Sequence, residues 1–474
     1  MKAGRKALVL LPLGIFLLLL SIIMPGALTE KAEYLNGVNG LSKIVVAAGV
    51  GSDINPSLTP EIIGKAAKQA KTDEFSYTAA NQTLNTDVRI GERVVKASIT
   101  GTNFMFPTFS RCSMQTGSFF SETAEKSGGY IAVVDDRFAW EAFKSDKVVG
   151  ETLEIYNRQF KISGVLKSDA SILGRLAGDN SSHIFIPGEK MLELDKAASI
   201  KVFQFKTGDT INSGRAGTLL TGALQALGYK AADFCITDLN ITRVGLEQKP
   251  QLFMFLLSCI IAVILLIWLT QNIKNEITEI KRQCKTDYLI NILKANLISI
   301  AAFLLKLLFS VAAAGLLFAC TSFKMYIPPE YVPEELIDLS FYFKLLLAAF
   351  TKNVRGREYY TDLTGSITES AALLTQIPPV LALLAGLLLI YAGTAALSSR
   401  WYELSKAVSI SGVSILISLL IFAAASDRLG LPLTLHTGQI AVVWVFINIC
   451  VWFRFYKYER IKWENDKRKR LEAQ

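Results

Sequence analysis

The chain has 474 residues, 51% of them hydrophobic, and a formal net charge of +9. That is too apolar for a soluble globular protein and too polar for one made only of membrane spans, so a water-exposed domain plus several spans is expected. A nucleic-acid-binding face is disfavoured by where the charge sits. Much of the excess follows Phe453, in Arg454, Lys457, Arg460, Lys462, Lys467, Arg468, Lys469 and Arg470, where beside a span it reads as a cytoplasmic retention signal near anionic lipid.

Residues 1–28 form the first span. Lys2, Arg5 and Lys6 precede a charge-free run over residues 7–28, longer than the ~7–15-residue core of a signal peptide and long enough to cross a bilayer. The positive-inside rule sets its amino end in the cytoplasm. Residues 29–250 then read as an extracytoplasmic α/β domain, one core in two lobes. A strand is expected at 42–48, a helix from Thr59 through 71 with Pro60 in its first turn, and two strands within 75–100 around Gly91-Glu92. Next come an apolar strand at 130–134, a short helix at 136–143 with Asp136 as its cap, and a turn at Gly150. Alternating strands at 152–156 and 159–165 flank Asn157-Arg158 as a tight hairpin. A strand at 200–205, an amphipathic helix at 210–227 closed by Gly228, and a strand at 231–237 complete the domain.

Residues 251–320 hold the second and third spans, at 252–270 and 291–320. Between them, residues 271–289 carry Lys274, Lys281, Arg282 and Lys285, which marks this side as cytoplasmic. Ile273, Ile277 and Ile280 recur at helical spacing with Glu276 and Glu279 between them, predicting an amphipathic helix along the membrane surface. Residues 321–376 are expected as an extracytoplasmic loop, in which the apolar run 341–350 is too short to span and reads as an interfacial helix. Residues 377–456 hold the fourth to sixth spans, at 377–397, 407–426 and 438–453, and 457–474 form a basic cytoplasmic tail. Both termini are then cytoplasmic.

The sequence has no GxxxxGK[ST] nucleotide loop and no GxSxG nucleophile turn, and its histidines, His183 and His436, are too few for a metal cluster. No catalytic, cofactor-binding or metal site is therefore assigned, and the chain is not read as an enzyme. Cys112 and Cys235 are the cysteines of the polar insert; they are candidates for a disulfide, with two separate buried thiols the commoner outcome. Lys306, deep in an apolar run, reads either as functional or as a snorkelling cation.

Five pieces occur in a telling order: GSFFS at 117–121, IAVVDDRFAWEAF at 131–143, VVGETLEI at 148–155, FKISGVL at 160–166 and HIFIP at 183–187. The insert thereby resembles the extracytoplasmic core domain of MacB/FtsX-type ABC transporter permeases. The resemblance implies a multi-pass α-helical membrane protein of the bacterial plasma membrane with a MacB core-like α/β domain between its first two spans. It further implies a permease-like subunit that couples a separately encoded ABC ATPase to the extracytoplasmic domain, with a second permease-like subunit or a second copy and membrane lipid as further partners. Glu276, Glu279, Lys281 and Arg282 would lie on the segment that contacts the ATPase. The family's small-residue ending of that segment is replaced by IKRQCKTDY at 280–288, SSRWYELSKAVS at 398–409 is a degenerate match, and the fifth and sixth spans have no counterpart in the four-span design. A receptor or scaffold that kept the exported fold without ATPase coupling is the alternative.

Overall fold

The structure, a computed structural model, describes residues 2–49, 58–69, 74–81, 86–178, 181–207, 210–226, 228–230, 234–283, 297–327, 340, 343, 362–400 and 403–472. Helix α1 (Lys2–Leu35) runs through the charge-free segment and beyond it, keeping Pro12 and Pro25 inside the helix. The domain follows as β1 (Lys43–Ala48), α2 (Pro60–Gln69), β2 (Phe75–Ala80), β3 (Thr86–Ile90) and β4 (Arg93–Thr102). The region expected to hold two strands holds three. Alternation persists across the break, so periodicity alone does not reveal it. The chain continues as α3 (Phe106–Phe109), β5 (Met114–Gly117), α4 (Glu122–Lys126), β6 (Ile131–Asp135) and α5 (Asp136–Phe143).

Asp135, and not Asp136, caps α5: its carboxylate accepts from the Phe138 N–H at 2.6 Å and from the His183 N–H at 2.9 Å. One side chain thus closes the helix and ties strand β6 to the strand that begins at His183. Burial pushes the Asp135 carboxyl up, against the pull of those two hydrogen bonds. Asp136 instead accepts from the Ser168 N–H at 3.2 Å. Strands β7 (Thr152–Ile155) and β8 (Arg158–Leu166) form the expected hairpin, but its turn residues are Tyr156 and Asn157, with φ of 50° and 60°. Two successive positive φ values are the mirror turn that matches strand twist, which moves the turn one residue earlier than the asparagine suggested.

Next come α6 (Ile172–Ala177), β9 (His183–Pro187), α7 (Gly188–Leu194), β10 (Ser199–Lys206), α8 (Thr210–Ala226) and β11 (Phe234–Asp238). Strands β11, β1, β10, β2 and β4 pair antiparallel in that order. From β4 the sheet continues through β3, β7, β8 and β6 to β9, and β9 pairs back onto β4 in parallel, closing a ring. The two lobes share one core, running from Ile44 and Phe203 to Phe160 and Ile184.

Among the described residues the chain continues with the long helices α9 (Leu239–Gln283), α10 (Leu297–Thr321), α11 (Leu363–Arg400), α12 (Leu404–Leu429) and α13 (Thr437–Glu472). With α1, they make six helices among the described residues that are long and apolar enough to cross a membrane. Helix α1 is central. Its Leu11, Ile15, Leu18 and Ile22 are fully buried against Leu257 and Ile261 of α9, Ile390 of α11 and Ile447 of α13. Gly14 and Gly386 set the closest approach: a Cβ on Gly14 would sit 2.9 Å from the Ile390 nitrogen, and one on Gly386 3.0 Å from the Gly14 oxygen. Small residues let membrane helices gain dispersion contact where no hydrophobic drive exists between them. Ser418 of α12 donates to the Pro12 carbonyl at 2.8 Å, so the last hairpin is bonded to the central helix.

On the side of the domain, three spans extend well past the apolar windows read from the sequence. Helix α1 continues to Leu35, α9 starts at Leu239 and α11 at Leu363, with Pro378-Pro379 inside it and not at its start. Hydropathy marks the lipid-embedded length alone; a polar helical extension has no such signature. Of the predicted loop, residues 363–376 are therefore helix, while 328–339, 341–342 and 344–361, including nearly all of the run 341–350, lie outside the described residues.

Candidate functional site: the joint between the domain and the spans

The extensions of α1, α9 and α11 stand together beneath the domain. Arg243 of α9 pairs with Glu33 of α1 at 2.7 Å, Lys249 of α9 donates to Thr375 of α11 at 2.6 Å, and Asn36, just past α1, donates to Thr368 of α11 at 3.4 Å. Helix α6 is the foot that the domain sets on them. Leu173 is fully buried among Leu28, Ala32 and Leu35 of α1 and Ile367 and Ala371 of α11. Beside it, Lys31 and Asp169 pair at 2.8 Å. Burial alone would raise the Asp169 carboxyl, but the bonds from Lys31 and Ser171 outweigh it and hold it below the usual value. Gly430, at the end of α12, comes so close that a Cβ there would lie 2.9 Å from the Ser171 Cα. The last membrane hairpin thus also meets the foot.

Lys43 sits where these parts converge. It opens β1 and is completely buried. Its Nζ donates to the Phe109 carbonyl, which ends α3, and to the Asn36 carbonyl just past α1 at 3.5 Å, and lies 5.9 Å from the centre of the Phe109 ring. Carbonyls at helix C-termini carry partial negative charge, so they suit an ammonium. Burial lowers the Lys43 pKa to about 7, with the Asp362 carboxylate acting in the opposite direction. Asp362 in turn caps α11 through the Gly365 N–H at 2.8 Å and accepts from Gln204 of β10. The end of the first span, the start of the fourth, β1 and β10 are therefore tied through a few polar groups. Sequence reading did not find Lys43, Asn36 or Asp362. Lys43 was legible only as the polar start of a strand, since nothing local marks a lysine as buried.

At the other end of the spans, the predicted partner-contact residues Glu276, Lys281 and Arg282 lie on α9, and the side chain of Glu279 lies outside the described residues. The helix does not turn to lie along the membrane surface. It continues α9 directly, because residues 251–283 contain no proline or glycine to end it. Lys281 and Arg282 are exposed, as is Ile277, so the isoleucine stripe is not fully covered. Residues 284–289 of the predicted segment lie outside the described residues. Trp268 of α9 stacks edge-on with Trp452 of α13 at 5.1 Å, and the Tyr456 hydroxyl donates to Asn272 at 3.3 Å.

Cys112 and Cys235 form no disulfide. Cys112 packs on the aromatic cluster of Phe106, Phe120 and Phe185, whereas Cys235 lies on β11, at the far end of the strand order. Burial pushes the Cys112 thiol up to about 12. Lys306 is exposed on α10.

A family model described as the MacB-like periplasmic core domain matches residues 12–219. That stretch, under half of the chain, is a MacB-like periplasmic core domain. Among curated relatives, the pyoverdine export ATP-binding/permease protein PvdT of Pseudomonas syringae pv. syringae (strain B728a) is 26% identical over 182 residues, covering 38% of this chain and 27% of that protein. The macrolide export ATP-binding/permease protein MacB of Shewanella sp. (strain W3-18-1) is 23% identical over 285 residues, covering 56% and 42%. The chain spans less than half the length of these relatives. Among solved structures, the periplasmic region of MacB from Actinobacillus actinomycetemcomitans matches with a TM-score of 0.34 at 19% identity, over 44% of this chain and 92% of that one. The extracellular domain of the noncanonic ABC-type transporter YknZ from Gram-positive bacteria matches with a TM-score of 0.34 at 14% identity, over 41% and 99%. The match to the family model takes in α1 from residue 12, strands β1 to β10 and the first part of α8, and stops short of β11.

Proposed function

We propose that this MacB-like chain is the permease-like membrane subunit of an ABC-type system, in which a separately encoded cytoplasmic ATPase moves the extracytoplasmic domain. The observation that carries the reading is α9, 45 residues of unbroken helix from the domain's last strand to Gln283. At 1.5 Å per residue it is ~68 Å long, more than twice the hydrocarbon core, so a displacement at one end is delivered to the other. Glu276, Glu279, Lys281 and Arg282 near its end supply charges that set partner choice and encounter rate more than affinity. The foot on α6 and the Lys43 node are where that displacement enters the domain.

The test uses the full chain purified in gentle detergent. An ATPase should accompany it, and Glu276→Lys with Glu279→Lys should abolish partner-stimulated ATP hydrolysis while the protein reaches the membrane with its domain folded. The same preparation, run on a native gel, reads whether a second permease-like subunit or a second copy is present. The replacement of the family's segment ending by IKRQCKTDY favours a second reading, a receptor or scaffold without ATPase coupling. Purification with no ATPase at all would select it.

A further inference from the structure

An open cleft of about 590 Å³ lies in the domain between α5, β5 and the segment that leaves β8. Most of its lining comes from α5 and the turn after it. Asp136 and Trp140, four residues apart, share one face of the helix, and Arg137 stands beside them. Lys144, with φ of 59°, ends the helix in the left-handed conformation and turns Ser145 and Asp146 back toward the same space. The polar groups are held in place from other elements. Asp136 accepts from the Ser168 N–H at 3.2 Å and from the Ser168 hydroxyl. Asp146 accepts from Gln115 Nε2 of β5 at 3.0 Å, and its carbonyl accepts from the Thr116 hydroxyl at 3.2 Å. Trp140, by contrast, is 64% exposed. An indole left in water beside fixed polar groups is a flat apolar platform with hydrogen-bonding arms around it.

The lining selects the chemistry of an occupant. An anion meets the carboxylates of Asp136 and Asp146, and a cation meets the Arg137 guanidinium, so neither sign of charge is complemented. A neutral molecule rich in hydroxyls suits both sets, because each hydroxyl donates to a carboxylate or amide oxygen and accepts from a guanidinium or hydroxyl. The indole adds a demand for a flat apolar side. A pyranose ring combines the two, with C–H bonds across one face and hydroxyls around its edge. We propose that this cleft binds a neutral sugar, stacked on Trp140 with its hydroxyls bonded to Asp136, Arg137 and Asp146. The site stands whether or not an ATPase couples to the chain. Ser168 is followed directly by Asp169, which pairs with Lys31 of α1 at 2.8 Å, so an occupant sits against the segment that joins the domain to the first span.

The full chain, in a detergent without a sugar headgroup, is titrated with cellobiose and with diacetylchitobiose, and binding is read by saturation-transfer NMR. Each has a charged counterpart of matched size, the anionic cellobiuronate and the cationic deacetylated chitobiose. At least one neutral disaccharide should bind saturably, and its charged counterpart at least about tenfold more weakly, since a repelled charge replaces a hydrogen bond. Trp140→Ala should abolish the signal, Trp140→Phe should retain it, and Asp146→Asn should weaken binding by about tenfold through the loss of a charged acceptor. Both side chains are exposed, so the thermal midpoint of these variants should not move, which separates lost binding from lost folding. Saturable binding of neither neutral disaccharide, unchanged binding in Trp140→Ala, or tighter binding of a charged counterpart would overturn the proposal.

Discussion

A lysine with no exposed surface is an unusual choice for the first residue of a strand, and Lys43 makes a pH-dependent prediction. Its folded value is about 7, against ~10.4 for an unfolded lysine. Between those values the unfolded chain binds a proton that the folded chain does not, so stability rises with pH across this window. Below pH 7 both states are charged, and the cost of burying the ammonium is present in full. Thermal unfolding of the full chain in detergent should therefore show a midpoint that climbs from pH 7 to about pH 10, and Lys43→Met should flatten part of that climb, by an amount on the order of a few kcal/mol. The slope is the readout, because at neutral pH the methionine removes a desolvation cost and two hydrogen bonds together. Equal slopes in the two proteins would mean that Lys43 does not titrate in this window.

Among the elements, α1 and α11 pack backbone against backbone, at Gly14 and Gly386 and again at Gly393. Gly14 and Gly386 allow the two backbones to touch, and above the membrane the same two helices take the foot of the domain between them. Overpacking a filled interface typically costs about 1–3 kcal/mol. Gly386→Leu should separate the helices, lower the thermal midpoint of the detergent-solubilised chain and loosen the Lys31–Asp169 joint above it. Cysteines placed at Lys31 and Asp169 report on that last effect, since they should crosslink in the otherwise unaltered chain and poorly in the Gly386→Leu background. An unchanged midpoint would show that the neighbouring side chains absorb the added volume.

For the whole molecule, we propose that the six candidate spans among the described residues put the domain and the helix ends of α9 and α13 on opposite sides of the membrane. Membrane-impermeant thiol labelling tests this directly. A single cysteine at Ser181 should react from outside intact cells, and one at Gln474 only after the cells are opened. Labelling of both from the same side would break the topology and, with it, the proposed route from a cytoplasmic partner to the domain.

The order of span, α/β domain and further spans was determined by the sequence itself, because lipid solvent and strand pleat each impose a period or length that residues display locally. The β7–β8 hairpin (though not its turn residues), the helix over Asp136–Phe143 and the spans around Leu257 and Ile447 were legible for that reason. The closing of β9 onto β4, the overshoot of α1, α9 and α11, and the convergence on Lys43 were decided by the tertiary structure alone. Each depends on partners distant in the chain. Lys43 acquires its environment from Asn36, Phe109 and Asp362, and the α9 extension earns its helix by packing on α1 and α11, so no window of sequence contains the cause.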